Sequence, residues 1–87
     1  MNTTVERDVE VTGELGLHAR PAAEFATAAA RYTSDVRVAK GDREVDAKSV
    51  LLVLTLDVRH GDRVTLRARG ADADRAVEEL GRLVGAP

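Results

Sequence analysis

Cysteine and tryptophan are absent from these 87 residues, and Phe25 and Tyr32 are the sole aromatic side chains. Without cysteine there can be no disulfide and no thiolate zinc site, and His18 and His60 stand too far apart to suggest a local metal centre. The lack of aromatics removes any platform on which nucleic-acid bases could stack. Charge of one sign is missing as well: 13 basic and 15 acidic residues leave a formal net charge of −2. No Lys/Arg block occurs, which argues against nucleic acid or an anionic membrane surface as partner. No apolar run approaches the roughly 20 residues that span a bilayer, and Met1 to Arg7 contain no hydrophobic signal region. These absences describe a cytoplasmic protein with protein or small-molecule partners and without metal or cofactor.

What remains is 44% hydrophobic and 32% charged, enough for one domain over residues 1–87 with a core of Val, Leu and Ala. Val5, Val9 and Val11 share one parity and predict a first strand, with Thr12 to Leu17 as the following loop. From Ala19 to Arg31, Ala22, Phe25, Ala26 and Ala29 keep helical spacing, so small residues bring this helix close to a sheet. Val36 and Val38 alternate with polar neighbours before Gly41-Asp42, a tight hairpin leading to Glu44-Val45-Asp46. Ser49 caps a short helix through Leu54, and His60-Gly61-Asp62 is a turn in which His60 is structural. Val64, Leu66 and Ala68 alternate with Arg63, Thr65, Arg67 and Arg69, a half-buried strand with a basic outer face. Asp72 caps a last helix whose apolar positions are Ala73, Ala76, Val77, Leu80, Leu83 and Val84. The order β-α-β-β-α-β-α predicts an α+β open-faced β-sandwich: a four-stranded antiparallel sheet with three helices on one face.

Gly16-Leu17-His18-Ala19-Arg20-Pro21-Ala22 sets an imidazole, a guanidinium and a proline where a polar loop becomes a helix. His18 falls at the N-cap, and Pro21 suits a first turn that has no use for its missing N–H. Free backbone N–H groups and the positive end of the helix dipole make an anion site there, and Arg20 adds planar donors suited to phosphate oxygens. A helix N-terminus also disfavours the imidazolium, which keeps the His18 ring nucleophilic near neutral pH. The plainer alternative is a histidine that merely caps the helix or faces solvent.

Those residues, together with Lys48-Ser49-Val50-Leu51 at the expected distance after the histidine, resemble the HPr family. These are the histidine-containing phosphocarrier proteins of the bacterial phosphoenolpyruvate:sugar phosphotransferase system. The resemblance runs from about Val5 to Val84 and implies the same open-faced sandwich. It implies that His18 accepts a phosphoryl group on Nδ1, steadied by Arg20 and the backbone at Ala19. Enzyme I would be the donor and the IIA domains of sugar permeases the acceptors. The chain would then be a substrate of its partners rather than an enzyme.

Val50-Leu51-Leu52-Val53-Leu54 holds more consecutive apolar residues than one face of a short helix can bury. The resemblance assigns Ala23, Val50, Leu51 and Leu54 to the patch that meets enzyme I and IIA domains, with Val53 in the core. Ser49 is explained by capping alone, yet in some bacteria the serine at this place is phosphorylated by an ATP-dependent HPr kinase/phosphorylase. Two added negative charges would then disturb docking. Thr27, Ala30 and Leu52 replace basic or small residues of some family members, which weakens the electrostatic part of docking. Two other readings stand beside the sugar carrier: a paralogue in a regulatory, nitrogen-related phosphorelay, and a noncovalent regulatory binding module of similar fold. An enzyme is disfavoured because no second base, metal cluster or glycine-rich nucleotide loop accompanies His18. A monomer is the expected state.

Overall fold

A computed structural model describes residues 3–12 and 19–85. The elements are β1 (Thr3–Glu10), α1 (Ala19–Ala30), β2 (Asp35–Lys40), β3 (Arg43–Asp46), α2 (Val50–Thr55), β4 (Arg63–Gly70) and α3 (Ala73–Gly85). They form the expected open-faced sandwich: one antiparallel sheet of order β1-β4-β2-β3 with three helices. The predicted loop after β1 lies outside the described residues beyond Thr12.

β4 pairs with β1 from Thr3↔Gly70 to Glu10↔Arg63 and with β2 from Asp35↔Arg69 to Ala39↔Thr65. Its Val64, Leu66 and Ala68 are buried, as are Val36 and Val38 of β2. The period-2 alternation therefore lays one continuous apolar face under the helices. Val5 and Val9 are half-buried, as suits a strand at the edge of the sheet, while Val11 just beyond it is fully buried. α1 contributes Ala22, Phe25, Ala26, Ala28 and Ala29, and α3 contributes Ala73, Ala76, Val77, Leu80 and Val84. Fully burying a side chain such as Leu66, Leu80 or Phe25 stabilises by about 1.5–3 kcal/mol.

Three expectations need correction. Leu83 keeps the helical period of the apolar stripe but is 50% exposed, because it sits at the rim of the stripe, where α3 faces a groove beside α1. The outer side of β4 is not a basic surface. Arg67 bridges Glu6 on β1 at 2.7 Å and, across β2, Glu44 on β3 at 2.9 Å, and Thr65 donates to Asp8 at 2.7 Å. Cross-strand neighbours thus neutralise Arg67, which looks unopposed along the chain.

Asp72 stands at the start of α3, its carbonyl accepting from Ala76 N at 3.0 Å, but its carboxylate serves a different segment. One oxygen accepts from the N–H of Thr33 at 2.9 Å and from its hydroxyl at 3.3 Å. The other accepts from the N–H of Ser34 at 2.9 Å and from the Ser34 hydroxyl. The carboxylate ties the α1–β2 turn to the β4–α3 corner. Gly70 completes this corner: with φ +148° and Ser34 Cα only 2.9 Å from where a Cβ would lie, a side chain there would break the contact.

The hydroxyl of Ser34 and the N–H of Thr33 hold the Asp72 carboxyl down to about 2 from its ordinary 3.8. A group whose pKa is lower in the folded state stabilises the fold above its unfolded pKa and loses that contribution as pH falls through the folded value. Asp72→Asn is therefore expected to be less stable than the wild type at neutral pH, with the gap closing between about pH 4 and pH 2. Urea unfolding of both proteins across that range checks this.

Candidate functional site

α1 begins at Ala19, so the helix opens directly after His18 in the chain. His18 itself and the side chains of Ala19 and Arg20 lie outside the described residues, and with them the predicted N-cap and phosphate cradle. The rest of the candidate surface is described. Ala23 is exposed on α1 and lines a shallow groove of about 340 Å³ with Glu24, Thr27, Ala28, Arg31, Glu79 and Leu83.

α2 packs beside α1 and shows its apolar residues unevenly. Val53 is fully buried, Val50 and Leu54 are half-buried against the core, and Leu51 is 77% exposed. Leu52, outside the predicted patch, is 43% exposed. Five consecutive apolar residues sweep the whole circumference of a helix, so some must face water. The run announced that exposure, but which residues face outward depends on where α1 and β3 press. The patch therefore gains Leu52, and Leu83 stands exposed in the groove that Ala23 lines.

Ser49 is the N-cap of α2, in extended conformation with φ −104° and ψ 113°, and its hydroxyl accepts from Leu52 N at 3.2 Å. The capping explanation of Ser49 is thus realised. Lys48, beside it, donates to the carbonyl of Tyr32 at 2.8 Å, fastening the Lys-Ser segment to the end of α1. The hydroxyl of Tyr32 donates in turn to Glu79 on α3. That bond and burial raise the pKa of the phenol, so Tyr32 stays neutral. These contacts fix where α2 starts relative to α1, a link between residues distant in sequence that no local pattern displays.

Among the described residues, no group of three or more His, Cys, Asp and Glu could hold a metal ion, and no helix is long and apolar enough to cross a membrane. Nor does any buried side-chain polar atom among them lack a partner. The described surface can offer an apolar contact flanked by a capped helix start.

The described residues thus form a small open-faced sandwich of order β1-β4-β2-β3 whose short helix α2 exposes Leu51 and Leu52. The family model for the PTS HPr component phosphorylation site matches residues 5–86. The HPr-like protein Crh of Bacillus subtilis is 45% identical over 80 residues, covering 92% of this chain and 94% of Crh. The Crh crystal structure, a dimer with a swapped domain, has a TM-score of 0.73 at 44% identity and 91% coverage of each chain. The phosphocarrier protein NPr of Shewanella violacea is 37% identical over 84 residues, covering 97% of this chain and 92% of NPr. The crystal structure of HPr from Bacillus anthracis superposes with a TM-score of 0.92 at 35% identity, covering 94% of this chain and 98% of that one. The chain belongs to the HPr family of phosphocarrier proteins, which carry phosphate and are not catalysts.

Removing the Ser49 hydroxyl leaves a first-turn N–H of α2 without its side-chain acceptor. Ser49→Ala is expected to cost about 1 kcal/mol of stability, read as a lowered urea midpoint with the slope unchanged.

Proposed function

We propose that this chain is the sugar-system HPr, accepting a phosphoryl group from phospho-enzyme I on His18 and passing it to IIA domains of sugar permeases. The observation that carries this reading is the family match across residues 5–86, which spans His18-Ala19-Arg20-Pro21 and the Lys48-Ser49 segment together. In the transfer, the bond from phosphorus to the donor breaks as a bond to the neutral imidazole Nδ1 of His18 forms. The same exchange in reverse delivers the group to a IIA domain. Arg20 and the N–H groups at the start of α1, including that of Ala19, would balance the charge on the equatorial oxygens. The positive end of the helix dipole would disfavour the imidazolium before transfer and favour the dianionic group after it.

Docking is assigned to Ala23, Val50, Leu51 and Leu54, supported by the exposure of Ala23 and Leu51 and by α2 lying against α1. Ser49 is assigned as the regulatory site for an ATP-dependent HPr kinase. A phosphate at a helix N-cap is compatible with the helix, while its charge beside Leu51 and Leu52 would oppose apolar docking. The working unit is a cytoplasmic monomer, since α1 and α2 of one chain supply the whole proposed surface. A second reading, a paralogue in a regulatory phosphorelay, is favoured by the likeness to NPr and Crh and shares the same chemistry with other partners.

Incubation with phosphoenolpyruvate, magnesium and enzyme I is expected to add one acid-labile phosphate to the wild type, read by intact mass, and none to His18→Ala. Arg20→Lys should slow the transfer without unfolding the chain, and an equally rapid His18→Ala acceptor would refute the assignment. Ser49→Asp is expected to keep the fold by circular dichroism and to accept phosphate from enzyme I more slowly. Transfer rates equal to those of wild type would remove the regulatory role.

A further inference from the structure

α2 is six residues long, too short for helical cooperativity to hold it, and it buries Val53 fully and Val50 and Leu54 in part. Side chains from its surroundings also hold its ends. At the N-terminus this is the Ser49 cap. At the C-terminus Leu56 N donates to Val53 O at 3.1 Å, Asp57 N donates to Leu54 O at 3.2 Å, and Asp57 turns the chain away with φ 50°. Two cations of the β2–β3 hairpin reach this end, one at the last carbonyl of α2 and one at a carbonyl just past it. Arg43 donates through Nη1 to Thr55 O at 2.8 Å and through Nη2 to Thr55 Oγ1 at 3.2 Å, and the Thr55 hydroxyl donates to Leu52 O at 2.6 Å. Lys40 Nζ donates to Asp57 O at 2.6 Å and pairs with Asp62 at 2.9 Å.

Lys40 and Arg43 are register partners on either side of the Gly41-Asp42 turn, so their side chains leave the hairpin on one face. The Arg43 guanidinium complements the negative end of α2 as well as its last carbonyl, while Lys40, paired with Asp62, ties down the chain just past it. The hairpin tip thus works as a two-pronged clamp on the helix that exposes Leu51 and Leu52.

We propose that Lys40 and Arg43 are positioning residues for partner docking, holding the C-terminal end of α2 so that Leu51 and its neighbours face the phosphoryl donor correctly. The proposal rests on the reading of α2 as the docking helix. It assigns a role in transfer to residues that belong to no sequence motif and stand on the hairpin, outside the docking patch.

The test compares the full-length wild type with Arg43→Ala, Arg43→Lys and Leu51→Ala. KM and kcat for phosphorylation by phospho-enzyme I are measured beside amide hydrogen exchange over residues 49–57. For Arg43→Ala the expectation is a KM raised about fivefold, an unchanged kcat, and faster exchange in α2 with β4 protection intact. Arg43→Lys should recover most of both losses, and Leu51→Ala should raise KM without altering exchange. Faster exchange in Arg43→Ala with KM unchanged, while Leu51→Ala still raises KM, would overturn the clamp and leave the docking reading standing. A raised KM without faster exchange would mean that Arg43 touches the partner itself, which also overturns the positioning role. Unchanged KM in both Arg43→Ala and Leu51→Ala would sink the docking reading and this proposal with it. Should Arg43→Ala weaken β4 protection as well, Lys40→Ala, which leaves the Arg43 bonds in place, serves for the same comparison.

Discussion

Strand β4 is hydrogen-bonded on both edges, to β1 and to β2, and its Val64, Leu66 and Ala68 form the middle of the buried face. β1, β2 and α3 pack directly on it, and β3 joins the sheet through β2. β1 reaches β4 from the far end of the chain, pairing from Thr3↔Gly70 to Glu10↔Arg63, so the contact that completes the sheet joins residues distant in sequence. That core contains one aromatic ring, Phe25, among alanines, valines and leucines. Short side chains supply less apolar area per residue than aromatics but let helix and sheet lie close, so density replaces bulk.

The same economy of area explains why the molecule is fastened by polar contacts at its corners. Asp72 holds the α1–β2 turn, Lys48 holds the end of α1, and Lys40 and Arg43 hold the end of α2. Under the proposed function α2 presents Leu51 and Leu52 to partners, which it could not do with both buried in its own core. Polar clamps at the ends of α2 resolve that conflict by stabilising the helix without covering its outer face. The cost is that α2 has little burial of its own, so its geometry is as sound as the side chains that grip it.

Much of this was readable along the chain. The alternation of β4, the Gly41-Asp42 hairpin, the Ser49 cap and the amphipathic stripe of α1 each depend on residues within one turn or one strand, and each is found as expected. The readings that failed concern side chains whose partners lie far away in sequence. Asp72 looks like a local helix cap, yet Thr33 and Ser34 claim its carboxylate from nearly forty residues upstream. Arg67 looks like part of a basic stripe until Glu6 and Glu44 meet it from two other strands. Leu83 fits the helical period of the core but lies at its rim. Of the candidate site, Ser49 and the exposure of Leu51 were legible, while Leu52 was missed because a five-residue apolar run does not say which side its neighbours will cover.

Element order, fold class and family follow from periodicity, turn chemistry and the two motifs, which are local properties of the chain. Which charges neutralise one another across strands, which leucines stay in water and which side chains grip α2 are set by packing. Those outcomes depend on distances between residues that only the closed sheet brings together. A hydrogen bond such as that from Arg43 to Thr55 O exists once the hairpin and helix are in place, and nothing in either segment alone encodes it.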